Sequence, residues 1–361
     1  MSATKTEVKR LVADLRRVTK WGRMALFAAA NGLPVTRTWD PFLERLLEDN
    51  TSEAALRKVA DKLTSFYVAQ LSAGDRIVMF FRPSVDFGAR LYNLAKKAIA
   101  PVSVVSEHFP SLIPESKAKK DVPGVPTFAG TRKYGDGRIA LFFLSGRYVE
   151  ERDKYKREDV AQVVRDAFND YDEFIAIKLR FKQCVDSIIV SPDASVEIRL
   201  DLPTLTNMDY AEICATSLLQ HFHAHFSGPR GEPILGERVN LFKAIDKIYR
   251  TKDLGRVSEL GFETPTDSVK IEKMRDRSSD LREELYHKAG KAGLGNLAKI
   301  VPYRLAVRFP GSVNGATVEL VLPGSFRELA KPSQRLELGA VSGGISEDDF
   351  DQVVRVLLQH V

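Results

Sequence analysis

The chain reads as an α+β protein on three observations. Long amphipathic helical patterns fill its first hundred residues. From Thr127 onward, alternating apolar and polar runs come in pairs around short turns: Gly135-Asp136-Gly137, Ser191-Pro192-Asp193 and Pro265-Thr266-Asp267. Single helices separate these pairs, without the regular strand–helix alternation of a parallel α/β protein. A length of 361 residues is enough for two hydrophobic cores. The expected organisation is a helical/βαβ domain at 1–106, a Pro/Lys-rich linker at 107–126, and a larger domain at 127–361. That larger domain is expected to consist of antiparallel hairpins with helices on one face.

In chain order, residues 4–31 carry Val8, Leu11, Val12, Leu15, Val18 and Trp21 at helical spacing, with Lys and Arg on the other face. Gly32 and Pro34 end that pattern. Asp40-Pro41 opens a short helix, since Pro is tolerated at the first helical position. Ser52 caps another helix that runs inward through Leu56, Val59, Leu63, Phe66 and Leu71 to Gly74. Ile77–Phe81, a helix over Val85–Ile99 and Val102–Val105 have the lengths of a βαβ crossover, which predicts parallel strands. Four prolines between 107 and 126, with Lys117, Lys119 and Lys120, suggest the linker.

Beyond it, Thr127–Tyr134 pairs with Arg138–Val149 around its glycine turn, followed by a helix over Glu158–Phe168 and a strand over Phe174–Phe181. Val185–Val190, Ser195–Leu202 and a helix over Met208–Phe226 form a β-β-α block. A loop at Gly228–Pro233 leads to a helix over Val239–Tyr249, then to the hairpin Val257–Phe262 with Ser268–Met274. A charged helix over Ser279–Ala289, three strands (Tyr303–Phe309, Thr317–Leu322, Arg335–Gly339) and a helix capped by Ser346 complete the reading.

Short echoes run through this pattern. Ala194–Ile198 resembles Asp267–Ile271 and Ala316–Leu320, each on the second strand of a hairpin. Asp159–Arg165 resembles Asp349–Arg355, and Leu218–His221 resembles Leu357–His360. A repeated β-β-α unit accounts for them, and so does the small set of residues that amphipathic elements draw upon.

Composition narrows the class without naming a function. No apolar run approaches the roughly 20 residues that span a bilayer, so no membrane partner is expected and the protein is read as cytoplasmic. Cys184 and Cys214 match no metal spacing and are expected as buried free thiols. The net charge of +6 is compatible with an anionic partner, although solubility alone accounts for it.

Chemistry-bearing residues are sparse. His221 and His225 stand at i, i+4 on one helix face and could ligate a metal, which would make the protein a metal-dependent enzyme. The plainer reading is a helix C-terminus, where imidazolium is favoured by the helix dipole. Asp193 and Glu197-Ile198-Arg199 superficially resemble a nuclease core, but the gap is too short to bridge two strands. The strand-to-helix loop 82–88 lacks a phosphate-binding fingerprint, and no cofactor is indicated. Basic segments are the broader signal: Lys117, Lys119 and Lys120, then Lys273, Arg275, Arg277, Lys288 and Lys291, with Tyr249 and Tyr286 available for stacking. Interleaved acids cancel much of this charge, as on an ordinary solvated face. The leading expectation is a non-enzymatic protein that contacts nucleic-acid phosphates through the second domain. The alternative is a subunit that binds a protein partner or its own copy within a larger cytosolic complex.

Overall fold

A computed structural model describes residues 3–49, 52–202, 207–226, 235–295 and 299–361. The loop expected at 228–233 lies outside the described residues. The chain opens with helices α1 (Ala3–Val18), α2 (Trp21–Ala30), α3 (Trp39–Asp49) and α4 (Glu53–Ala73). Strand β1 (Arg76–Phe81) precedes α5 (Val85–Lys97), α6 (Val104–His108) and α7 (Glu115–Asp121). Next come β2 (Thr127–Lys133), β3 (Ile139–Lys156), α8 (Gln162–Ala167), β4 (Glu173–Val190), β5 (Val196–Leu200) and α9 (Met208–Phe226). Then follow α10 (Phe242–Arg250), β6 (Arg256–Glu263), β7 (Val269–Lys273) and α11 (Leu285–Gly293). The last elements are β8 (Val301–Pro310), β9 (Thr317–Leu322), α12 (Phe326–Leu329), β10 (Gly339–Ser342) and α13 (Glu347–Gln359).

Among the described residues, ten strands join one sheet in the order β2-β3-β4-β5-β1-β10-β9-β8-β6-β7, and every pairing between them is antiparallel. The fold is α+β. Strand β1 sits at the centre, with Ile77 opposite Leu200 of β5 on one side and Ala340 of β10 on the other. Its continuous apolar run is explained by this position, because all six residues are buried. Ile77, Met79 and Phe81 face a core with α5 and α9, whereas Val78 and Phe80 face a core with α10 and α13. The remaining core, the first in chain order, packs α1–α4 onto Ala140, Phe142, Leu144, Val185 and Ile189. Helices therefore cover the second face of the sheet as well as the first.

Local chemistry explains the helices that the sequence predicts well. Ser52 accepts from the Ala55 amide at 3.2 Å to start α4, and Ser346 with Asp349 forms a capping box on α13. On α4, Leu63 and Phe66 are almost wholly buried, each worth about 1.5–3 kcal/mol relative to exposure.

Several expectations change. The helix foreseen over 4–31 is broken at Lys20, whose extended backbone restarts it as α2 and turns Met24, Phe27 and Ala28 into the first core. The parallel βαβ unit does not form. Residues 104–108 are helical because Ser103 and Ser106 cap each other, and Val102 stays 88% exposed, so the apolar pair there never builds a strand. Within the expected linker, Leu112, Ile113, Ala118 and Val122 are buried in the first core and α7 is formed. Through β1, residues 1–106 share one sheet with residues 127–361.

The two strands expected at 174–181 and 185–190 are one strand, β4, paired with β3 without a break from Ile139↔Val190 to Lys156↔Glu173. The polar residues that suggested a gap are each satisfied in place. Lys182 reaches Asp201, and Gln183 bonds both the amide and the carbonyl of Ile113. The expected helix at 279–289 starts later, as α11, after a short 3-10 turn at Leu281–Glu283. The strand expected at 335–339 lies further on, as β10.

The sheet divides into two similar halves. Counted inward from the outer edges, β2-β3-β4-β5-β1 faces β7-β6-β8-β9-β10. The echoed strands β5 and β9 hold equivalent places, each paired with the strand before it in a hairpin. The helix-terminal echo is also structural, since His221 bonds the Ser217 carbonyl and His360 the Val356 carbonyl, one turn back in each case.

Candidate nucleic-acid interface

Beyond the Arg147–Lys182 pair, β3 and β4 continue for nine residue pairs as a two-stranded arm, from Tyr148↔Phe181 to Lys156↔Glu173. At about 3.3 Å per residue the arm reaches about 30 Å from the sheet. Where it leaves the body, it forms one wall of a cleft of about 1140 Å³. The helices α1 and α3 form the facing wall, and the segment 107–119 with α7 closes one side.

The lining is basic and partly aromatic. Lys9, Arg10, Arg16 and Arg17 come from α1, Lys119 from α7, and Lys178, Arg180 and Lys182 from the arm base. Asp14, Asp40, Glu107 and Glu115 oppose these eight cations, so positive charge dominates. Trp39, Tyr148 and Phe181 add ring surface, and Tyr148 is 50% exposed. Trp21 holds Trp39 edge-on, with ring centroids 5.2 Å apart.

Hydrogen bonds fix the cation geometry. Arg17 donates to the Ile113 carbonyl at 3.1 Å and approaches Asp14 at 3.5 Å. Arg10 pairs with Asp14 at 3.1 Å, and Arg16 with Asp40 at 3.0 Å. Burial raises the Asp14 carboxyl above its ordinary range despite both arginines. Arg180 pairs with Glu151, whereas Lys119 and Lys178 have no ion-pair partner among the described residues.

A buried charge network anchors this wall. Lys182 Nζ lies 2.7 Å and Arg76 Nη1 lies 3.3 Å from Asp201 Oδ1. Burial disfavours the Asp201 anion, but Lys182 and Arg76 outweigh it and hold the carboxyl below the usual range. Arg147 pairs with the fully buried Asp186, at 3.0 Å for Nη1–Oδ1, and donates to the Asp201 carbonyl at 2.7 Å. Such pairs cost several kcal/mol to desolvate, so they specify geometry more than they add stability.

The expected site residues are brought together only in part. Lys117, Lys119 and Lys120 are exposed on α7, and Lys119 enters the cleft. Lys273, Arg275, Arg277, Lys288 and Lys291 lie around β7 and α11, at the opposite edge of the sheet. There Lys273 pairs with Glu259 and Lys288 with Glu283. Lys291 donates to the Tyr249 hydroxyl at 2.9 Å and sits over its ring. That hydroxyl also meets buried His287, which is held in turn by Glu272, so this end of the molecule is internally braced. The residues that sequence reasoning missed are those of α1 and the arm base. Their one local signal was the basic polar face of α1.

His221 and His225 share a face of α9 near its C-terminus. His221 bonds its own helix at Ser217, and the His225 ring lies 6.0 Å from that of Phe128. Among the described residues, no group of three His, Cys, Asp or Glu side chains is placed to hold one ion. Both cysteines are buried and free, and burial pushes the Cys184 thiol up to about 12, far from a neutral-pH nucleophile. A second, smaller cavity of about 520 Å³ lies beside β5 and α13, between Arg82, Arg138, Glu197, Asp351 and Arg355. Arg199 beneath it is bonded by Glu197 at 2.7 Å and Asp351 at 2.8 Å, and stacks 4.2 Å from the Phe350 ring centre. Arg138, Arg199, Glu197 and Asp351 are spent on one another, whereas Arg82 and Arg355 have no ion-pair partner among the described residues.

Among the described residues, no helix is long and apolar enough to cross a membrane. No family model and no curated protein matches the chain. Among solved structures, a crystal structure of DynU16, a protein of the dynemicin biosynthetic locus, aligns over 79% of this chain and 93% of its own. The identity is 11% and the TM-score 0.16, a likeness too slight to carry a fold or a function across.

Proposed function

We propose that the protein is a non-enzymatic, cytoplasmic nucleic-acid-binding protein whose phosphate contacts are made in the cleft between α1, α7 and the arm. One observation carries this reading. Eight cations from three distant segments converge on a single concavity that also presents Trp39, Tyr148 and Phe181. Phosphates need clustered positive charge, and unstacked bases need exposed ring faces. Together these favour a single strand or a loop over a regular duplex.

The two tryptophans make the test direct, because Trp39 lines the cleft and Trp21 packs behind it. Titration with a single-stranded oligonucleotide should quench tryptophan emission, and Trp39→Phe should remove most of the quenching while leaving Trp21 emission. Binding without any change in emission would move the site elsewhere. Absence of binding at low salt would end the reading.

A further inference from the structure

The arm has a feature that the cleft uses only at its base, where Tyr148, Leu179 and Phe181 line it. Residues directly opposite in an antiparallel pair point to the same face, so one face of the arm can be read from the register. On β4 it carries Phe181, Leu179, Ile177 and Ile175, then Glu173 toward the tip. On β3 it carries, opposite these, Tyr148, Glu150, Arg152, Lys154 and Lys156. One edge of this face is thus an apolar rail and the other a charged rail. Leu179, Ile177 and Ile175 are 60%, 58% and 51% exposed. Three large aliphatic side chains in a row on a ribbon surface are unusual for a lone chain. A two-stranded ribbon is also marginally stable by itself in water.

The order of charges identifies an occupant. Centre a two-fold axis on the Arg152–Ile177 pair, with the axis running across the ribbon in the plane between two facing arms. The operation keeps each rail opposite its own kind and reverses its direction, except at the ends of the β4 rail, where Phe181 meets the partner subunit's Glu173. Leu179 then meets the partner subunit's Ile175, and Ile177 meets the partner subunit's Ile177. On the charged rail, Glu150 meets the partner subunit's Lys154, and Tyr148 meets the partner subunit's Lys156. On that rail Arg152 alone meets its own copy, flanked by Glu150, to which it is already paired at 2.9 Å, and Lys154 likewise has Glu173 at 3.2 Å within its own chain. Such a face is complementary to itself when reversed, which is the requirement of an isologous dimer.

We infer that the arm is a homodimerisation element, with two copies packing antiparallel, face to face, through Ile175, Ile177 and Leu179. The strength follows from the size. A ribbon about 30 Å long and about 10 Å wide offers on the order of 300 Å² of face per copy, against about 800 Å² for a standard stable interface. The dimer is therefore weak and concentration-dependent. In it, the partner's arm tip lies over Tyr148 and Phe181 at the mouth of the cleft. This inference does not depend on nucleic acid, and its test contains none.

Sedimentation velocity on the full chain, over a concentration series, measures the association. The wild type should shift from monomer to dimer, and Ile177→Asp should remain monomeric. Glu150→Lys alone and Lys154→Glu alone should each weaken the dimer, because each puts like charges opposite one another. The double variant E150K/K154E should restore it, and so should an equimolar mixture of the two single variants. All these positions are exposed, so the fold is kept and circular dichroism should be unchanged. A chain that stays monomeric throughout the series overturns the inference. So does a dimer that is indifferent to Ile177→Asp, or single charge reversals that neither weaken it nor complement each other.

Discussion

Replacing Arg199 by Met tests how the centre of the sheet is held. Arg199 is 1% exposed, yet it satisfies Glu197 through two nitrogens and Asp351 through one, and it donates to the Ser72 carbonyl at 3.2 Å. It thereby ties β5 to α4 and α13. Met fills similar space and keeps contact with Phe350, so the loss is mainly electrostatic. Two carboxylates with side-chain exposures of only 11% and 15% lose their shared cation. Breaking a buried pair in this way costs about 3–5 kcal/mol. With an unfolding entropy of about 2.1 cal/mol/K per residue, the 361-residue chain has about 0.76 kcal/mol/K near its midpoint. For a two-state transition the expected loss in Tm is therefore about 4–7 °C. Calorimetry and urea titration measure it, and Arg199→Met combined with Glu197→Gln should recover a large part. A loss below about 1 kcal/mol, or strictly additive effects in the double variant, would refute the account of a shared buried network.

Two further predictions follow from the same geometry. Asp201 and Asp351 are held below the usual carboxylate range by their cationic partners, despite burial. Their contribution is present above the unfolded value of about 3.9 and disappears as pH falls through the lower folded values. Urea midpoints should thus fall on acidification below about pH 4, and Asp351→Asn should reduce the steepness of that fall. At Gly88, an added Cβ would lie 2.1 Å from the Cβ of Ala194, a residue at φ +70°. Gly88→Ala should destabilise by about 1–3 kcal/mol through overpacking of α5 on the 191–195 turn. Ala194→Gly should rescue it and, alone, stabilise by about 0.5–1 kcal/mol, the left-handed strain relieved less the extra chain entropy of glycine. Indifference of Gly88→Ala in a thermal melt would show that α5 does not press on this turn.

What the sequence made legible was local. Ser52 and Ser346 announced their helices by capping chemistry, the glycine turn at 135–137 announced its hairpin, and Met208–Phe226 was read with the bounds it has. The five apolar residues from Ile77 were read as a strand, but their partners, 115 residues and more away in β5 and β10, leave no mark near them. The arm was cut short for a physical reason. Once both faces of a ribbon are in water, charged residues such as Glu150–Lys156 replace the buried alternation by which strands are recognised. The cleft was missed for the same reason as β1. Arg16, Lys119 and Lys178 belong to no common motif and meet only because the first core packs α1 and the 107–122 segment against β3 and β4. The Lys273–Lys291 region stood out because its charges are close in sequence, but much of that charge is paired or braced where it stands.

The measurement that tests the central claim most directly is the salt dependence of oligonucleotide binding by the wild type, K119E/K178E and K288E. Lys119 and Lys178 enter the cleft without ion-pair partners among the described residues, whereas Lys288 is paired at the opposite edge. For a single strand, each lost phosphate contact lowers the slope of log K against log salt by about 0.7. K119E/K178E should therefore bind more weakly, with a slope reduced by about 1.4, and K288E should match the wild type. Equal slopes for all three proteins, or a loss confined to K288E, would contradict the cleft as the phosphate-binding surface.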